Sequence, residues 1–438
     1  MNDYPNTVKE TLSSLIAELS ATPELYAMNP GKDFTRKRKL PFETVMQLLI
    51  SMGGNSICKE LLEAHDYDVK TATSSAFVQQ REKILPCAFE YLLHEFTKSH
   101  TDWKTYQGYR LFAADGSDLH TPTNPDDLDT FCQSNPDVSG YNLLHLNAMY
   151  DLCNRLYGDA LIQTTRQKNE SKALVNMVDR SQVKDKVIVI ADRNYESYNN
   201  FAHIEQKGWK YLIRVKDLGS TGILSALNLP SDGEFDVDFR RILTRKQTKE
   251  VKDSPDIYKY ISHRSPFDFI DKQNKFYPMS FRVVRFKITD DTYETLITNL
   301  DSFDFTPQEL KKLYGLRWGI ETSFRELKYS IGLTAFHSKK REHIVQEIFA
   351  RIIMYNFTEM ITSRVVISKA DTKLAYKVNF TVAIHICRRF LRQWFRSNAS
   401  PPDVEALIRK NTLPVRPGRT DKRKIKSRTA VSFLYRVA

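Results

Sequence analysis

KVIVIADRNYES, residues 186–197, is an almost unbroken run of β-branched residues that stops at Asp192. A run of this length, apolar on both sides of the pleat, predicts a buried central strand. Working outward, the neighbouring stretches alternate between strand and helix patterns. YRLFAADGSDL (109–119) predicts a strand ending at Asp115-Gly116-Ser117. YNLLHLNAMYDLCN (141–154) and LYGDALIQTTRQ (156–167) predict two further strands joined by a turn near Asn154. SKALVNMVDRSQ (171–182) predicts a helix with Ser171 as its cap, and SYNNFAHIEQKG (197–208) a helix ending at Gly208. WKYLIRVK (209–216) predicts a fifth strand. Three strands, a helix, a strand, a helix and a strand are the order of a ribonuclease-H-like α/β core. Asp115 and Asp192 are both expected at C-terminal strand ends, where side chains can leave the sheet and share a site.

A second stretch organises the C-terminal half. FTPQELKKLYGLRWGIE (305–321) opens a helix at Thr306-Pro307, and YGLRWGIETSFRELKYSIGL (314–333) reads as one continuous helix. At ~100° per residue, Leu313, Leu316, Ile320, Phe324, Leu327 and Ile331 form one apolar band. Tyr314, Arg317, Glu321 and Lys328 fall on one neighbouring edge, with Trp318 and Arg325 just beyond it. A carboxylate can ligate a divalent metal, cations can hold phosphates, and aromatic rings can stack on bases. On charge pattern alone this is equally a surface helix with ordinary pairs, since Glu321 and Arg325 are four apart.

The spacing adds more. Tyr314, two residues, Arg317, three residues, Glu321, six residues, Lys328 resembles the Y-R-E-K signature of DDE transposases of the insertion-sequence-four family. Four residue types at three fixed spacings are a more specific signal than a single short motif. The first aspartate of that family follows a strand in a D-G-T/S context, and its second lies in an A-D-R-like context. Asp115-Gly116-Ser117 and Ala191-Asp192-Arg193 match both. The resemblance spans roughly residues 34 to 435. It implies that Asp115, Asp192 and Glu321 are catalytic carboxylates holding two Mg2+ ions, which Mn2+ can replace. It assigns Tyr314, Arg317 and Lys328 to DNA near the cut. Trp318, Arg325 and Arg193 are further DNA-contact candidates. Asp118, three residues past Asp115, competes for the first position. Asp151 and Asp159 read as turn residues, Trp209 as a packed indole or a stacking platform. His120 and His145 have no ligand-like partner spacing.

The family pattern implies double-stranded DNA partners, namely terminal inverted repeats and a target, and a homodimer on paired ends. It implies a prokaryotic cytoplasmic setting at the nucleoid. Two other readings stay open: a ribonuclease-H-like nuclease without strand transfer, and a catalytically retired DNA-binding repressor.

Bulk properties agree with a nucleic-acid partner. The chain has 438 residues and a formal net charge of +12, with a pI near 9.2, which favours a polyanion. Its length predicts two or three domains. No apolar run approaches the ~20 residues of a membrane span, and MNDYPNTVKE is unlike a signal peptide. Cys58, Cys87, Cys132, Cys153 and Cys387 form no CxxC or Cys/His cluster.

The expected organisation has five parts. Residues 1–105 are a helical N-terminal DNA-binding region, either helix-turn-helix-like or a plain bundle, with Gln79, Gln80, Arg81 and Lys83 on the polar side of its fourth helix. Residues 106–217 are the first part of the core. Residues 218–300 are a β-strand insertion whose basic run (Arg240, Arg241, Arg245, Lys246, Lys249) either holds DNA or is merely solvated. Residues 301–365 are the second part of the core with the catalytic helix. Residues 366–438 are a helical C-terminal region, with Arg388, Arg389 and Arg392 exposed and a basic tail over 409–428 that orders on a polyanion.

Overall fold

The computed structural model describes residues 2–36, 38–133, 135–290, 292–365, 367, 374–396 and 402–416. Five helices come first: α1 (Asp3–Ala21), α2 (Phe42–Ser51), α3 (Ile57–Ala64), α4 (Ser74–Arg81) and α5 (Cys87–Lys98). The Gly53-Gly54-Asn55 break separates α2 from α3. Ser56 caps α3 by accepting from the Lys59 N–H, and Thr73 caps α4 by accepting from the Ala76 N–H.

The core follows. Its strands are β1 (Arg110–Thr121), β2 (Phe131–Cys132), β3 (Tyr141–Asp151) and β4 (Leu156–Thr164). Then come α6 (Glu170–Arg180), β5 (Val187–Ala191), α7 (Tyr198–Gln206) and β6 (Lys210–Val215). They lie side by side as β4-β3-β1-β5-β6. β3 is antiparallel to β1 and β4, while β5 and β6 continue parallel to β1. Three antiparallel strands followed by two parallel ones, in this order, are a ribonuclease-H-like sheet. Residues alternate across it with period two. Phe112 and Ala114 pack with Leu174 and Phe201 of α6 and α7. Ala113 packs into the other core, with Ile320 and Ile353.

Two boundaries differ from expectation. β1 does not end at Asp115–Ser117 but runs to Thr121, because long β3 pairs with it from Phe112↔Asp151 through Thr121↔Asn142. Only the parallel ladder to β5 stops here, at Ala114↔Ala191. α6 is capped by Asn169, which accepts from the Lys172 N–H at 2.9 Å, and not by Ser171.

The strands after residue 218 are β7 (Phe235–Thr244), β8 (Tyr258–Tyr260), β9 (Phe276–Thr289) and β10 (Thr292–Thr298), with α8 (Lys249–Asp253) among them. β10 pairs antiparallel with the free edge of β6, and the order continues β10-β9-β7-β8. These strands therefore extend the core sheet to ten among the described residues. The basic run there divides. Arg241 is buried, and Arg245 donates to the Ser262 and Phe267 carbonyls, whereas Arg240 and Lys249 are exposed.

The rest is α9 (Pro307–Gly315), α10 (Trp318–Arg325), a π turn (Glu326–Ser330) and α11 (Arg341–Thr362). Then come β11 (Tyr376–Val378), α12 (Phe380–Leu391), α13 (Val404–Lys410) and β12 (Thr412–Pro414). Thr306 and Glu309 form a capping box on α9, with Pro307 in its first turn. The continuous helix expected from 314 to 333 is broken twice. At Leu316 and Arg317 the backbone tightens to i→i+3 bonds onto Leu313 and Tyr314, beside Gly315, a poor helix former. At Glu326 it widens into the π turn. Leu316 consequently leaves the apolar band and is exposed, while Leu313, Ile320, Phe324, Leu327 and Ile331 are buried.

α11 is buried along nearly all its length and gathers α1, α2, α5 and α12 around it in one core. Three exposure expectations are overturned by inward acceptors, on α11 for the first and elsewhere for the other two. Arg81 is fully buried, donating to Gln346 and Glu347 at 2.9 Å each. Arg388 is buried and donates to the Ile331 carbonyl. Arg392 is closed off by Glu60 and Glu63. Arg389 alone of the three C-terminal arginines is exposed. Trp209 is packed against Phe112. Of the 409–428 tail, residues 409–416 finish α13 and pair β12 with β11; 417–428 lie outside the described residues. Among the described residues no helix is long and apolar enough to cross a membrane.

Candidate active site

Asp115 stands where the parallel half of the sheet ends, on the face shared with Ala113 and α10. Its Oδ1 accepts the Gly116 N–H at 2.8 Å, and its Oδ2 lies 3.6 Å from Arg317 Nη1. Burial pushes its pKa up to about 6; the Gly116 N–H and Arg317 oppose this, and the charges of Asp192 and Glu321 add to it. Asp192 follows β5 directly and caps a short 3-10 turn, accepting the Asn194 N–H at 2.9 Å. Glu321 lies one turn after Arg317 on α10 and accepts its Nη2 at 2.8 Å.

One guanidinium thus joins a carboxylate from β1 to a carboxylate from α10. Arg317 is itself buried. Burial opposes its charge, but Tyr314, Glu321 and Asp115 together hold it more firmly protonated than usual. Its Nε is buried with no hydrogen-bond partner. Among the described residues, no group of three or more His, Cys, Asp or Glu side chains is arranged to hold a metal ion. The donor chemistry nevertheless fits one. Asp115, Asp192 and Glu321 supply hard oxygens, and a half-buried carboxylate whose charge is disfavoured by two like neighbours is stabilised by a cation. Arg317 is the cation beside Asp115 and Glu321 in this conformation.

The other helix residues surround this point. Tyr314 is buried, its phenol pushed up to about 12 by burial. The Arg317 guanidinium lies 5.9 Å from the Tyr314 ring and 5.1 Å from the Trp318 ring. Trp318 is 57% exposed, with its indole open to stacking. Arg325 and Arg193 are exposed. Lys328 turns to β1 and donates to the Asp118 carbonyl at 2.9 Å; burial lowers its pKa, against the pull of Asp118.

Asp118 does not share the face of Asp115, since three steps along a strand reverse the side. It is bonded to His145 Nδ1 at 2.6 Å and Lys168 Nζ at 3.1 Å, and these bonds hold it well below the usual carboxylate range. Behind it, His145 Nε2 lies 3.1 Å from Glu170. Gly116 has room for no side chain here: an added Cβ would meet both His145 and Glu170. The sequence sets His145 aside for want of a partner at ligand-like spacing and does not single out Glu170. Only the β1–β3 register, Asp118↔His145, would have found the first of them. The His120 ring lies 5.6 Å from that of Tyr141, tilted by 46°.

Residues 106–357, more than half of the chain, match a family model described as the transposase DDE domain. No curated protein matches the chain. Among solved structures, the cryo-EM structure of a piggyBac transposase synaptic complex with hairpin DNA is similar at a TM-score of 0.46 and 12% identity. That similarity covers 96% of this chain and 88% of the other.

Proposed function

The chain belongs to the DDE transposase family, and from that premise we propose that it is a cut-and-paste transposase of the insertion-sequence-four type. It binds the terminal inverted repeats of a bacterial or archaeal element at the nucleoid and pairs them as a homodimer. It cuts by hydrolysis and joins the freed 3′ ends to target DNA. The observation that carries this reading is the meeting of Asp115 and Glu321, 206 positions apart, on the single guanidinium of Arg317, with the charge of Asp192 acting on the same aspartate.

In this reading Asp115, Asp192 and Glu321 hold two Mg2+ ions, for which Mn2+ substitutes. Bound there, the ions supply an activated water and a stabilised leaving 3′ oxygen. Arg317 exchanges its carboxylate partners for a DNA phosphate, a charge-assisted contact of forked geometry. Lys328 adds a less directional cation from the same edge. Tyr314 backs Arg317, Trp318 offers a stacking face, and Arg325 and Arg193 attract the backbone.

The test is cleavage of a duplex made from the DNA that flanks the chain's own gene. Cutting at an inverted repeat, followed by joining of the 3′ ends to a second duplex, is expected. Asp115→Ala, Asp192→Ala and Glu321→Ala should each abolish cutting and leave binding. Cutting without joining would make the chain a nuclease; binding without cutting would make it a repressor.

A further inference from the structure

Arg155 lies in the turn between β3 and β4 with φ +57°. Left-handed backbone is unfavourable for a residue with a Cβ and persists where surrounding contacts hold it. Carboxylates hold Arg155. Its Nε and Nη2 donate to Glu359 Oε1 of α11 at 3.0 and 2.7 Å. Its Nη2 also reaches Glu326 Oε2 at 3.3 Å. The Tyr355 hydroxyl donates to the same Glu326 oxygen at 3.0 Å.

Glu326 is the first residue of the π turn. The Ile331 N–H closes that turn onto the Glu326 carbonyl at 3.0 Å, an i→i+5 bond. Such a turn holds one residue more than an α-helical turn, and it is rare enough to need a cause. Lys328 lies inside this turn, two residues after Glu326, and its ammonium meets the Asp118 carbonyl of β1. Arg155, in a distant hairpin, is bonded to the residue that opens the turn.

We propose that Arg155 is a positioning residue for DNA cleavage: its guanidinium holds Glu326, and so fixes the π turn that directs Lys328 to β1. The Arg155 side chain is 50% exposed, but its partner Glu359 is buried, so removing the guanidinium leaves a buried carboxylate unpaired and costs stability. Position and stability are separated at Glu326, whose bond to Arg155 is the outer one.

Glu326→Gln separates them, because it weakens the bond to Arg155 and leaves Arg155 on Glu359; in Arg155→Gly the glycine takes the left-handed backbone without strain, so its loss comes from the missing guanidinium. The full chain is compared with Arg155→Gly, Glu326→Gln, Lys328→Ala and the Arg155→Gly/Lys328→Ala pair. Three quantities are read: the melting temperature, hydrogen exchange over residues 326–331, and single-turnover cleavage of the duplex made from the gene's flanking DNA. Arg155→Gly should melt lower than the parent, because Glu359 loses its partner, exchange faster over 326–331 than that loss accounts for, and cleave roughly tenfold more slowly. The double variant should be no slower than Lys328→Ala alone, since both changes remove one contact. Glu326→Gln should show the same exchange and cleavage changes, and it carries the test if Arg155→Gly fails to fold. Unchanged exchange over 326–331 in both variants overturns the proposal, as do fully additive losses in the pair. The cleavage arm rests on the transposase reading. A parent chain that never cuts the duplex counts against that reading, while the exchange result still decides the role of Arg155.

Discussion

Asp118 and His145 stand opposite each other across the β1–β3 ladder, with Asp118 Oδ1 2.6 Å from His145 Nδ1. The contact has two effects. It ties Asp118 to the α6 side of the sheet, away from Asp115. It also lays the imidazole over Gly116, the residue whose N–H binds Asp115.

Gly116→Ala should therefore damage the site from behind. The new methyl must push His145 and Glu170 aside, and overpacking of this kind costs about 1–3 kcal/mol. Urea unfolding should show that loss. Cleavage should fall further than stability explains, because the displaced backbone carries Asp115. Ser117→Ala, one residue on and facing away from His145, is the control for stability and should be close to neutral in urea unfolding.

Glu205 offers a test of electrostatics remote from the site. Burial pushes its pKa up to about 7, opposed by the hydroxyl of Tyr211 and by Lys210. The unfolded chain releases this proton near the ordinary 4.5, so between the two values the folded state holds a proton that the unfolded state has lost. Stability from this group is present at low pH and declines as pH rises through that window. Glu205→Gln should flatten the decline: thermal melts of parent and variant should diverge from pH 5 to pH 8, with the variant ahead at pH 8. Parallel melting curves across this range would remove Glu205 from the balance.

How much of this was legible depends on the range of the signal. The β5 run announces itself because a strand buried on both faces needs no partner to be recognised. The end of β1 does not, since it is set by the length of β3, met only in the ladder. A 100° helical template ran through Leu316–Arg317 and Glu326–Ser330 without registering either break, because apolar spacing averages over one displaced residue. Arg81, Arg388 and Arg392 were placed in solvent because a local pattern sees a charge and not its distant acceptors at Glu347, Ile331 and Glu60. Of the site, the Tyr314-Arg317-Glu321-Lys328 spacing and the context of Asp115 and Asp192 were readable as a pattern. The link from Arg317 to Asp115 was not, and nothing local marks Arg155.

Trp318 should matter to DNA and not to the fold. Its exposed indole makes Trp318→Ala nearly silent in thermal melts, yet stacking on a base contributes roughly 1–3 kcal/mol. The loss should be largest on a duplex with an unpaired base at the cleaved end and small on a fully paired one. Equal loss on both duplexes would reduce Trp318 to a packing contact for Arg317.

The last prediction separates the roles of the residues around Asp115. Glu321 is proposed to act through metal, Arg317 and Lys328 through phosphate. Arg317→Ala removes the forked contact, worth roughly 1.5–3 kcal/mol for a charged hydrogen bond. It also leaves Asp115 and Glu321 without their shared counter-charge. Cleavage should fall even at saturating Mg2+, and Mn2+ should not restore it, because what is missing is a cation aimed at DNA. Lys328→Ala should follow the same course more mildly, since an ammonium is the less directional partner. Glu321→Asp draws the ligand back by one methylene and away from Arg317 Nη2, so its residual cleavage should depend on whether Mg2+ or Mn2+ is supplied. Removing divalent ions with a chelator should stop cutting by every variant and leave DNA binding in place. Titration of both metals against cleavage, for the parent and the three variants, checks this division. Rescue of Arg317→Ala by Mn2+, together with indifference of Glu321→Asp to the metal, would mean that the guanidinium serves the metal site and the carboxylate serves the DNA.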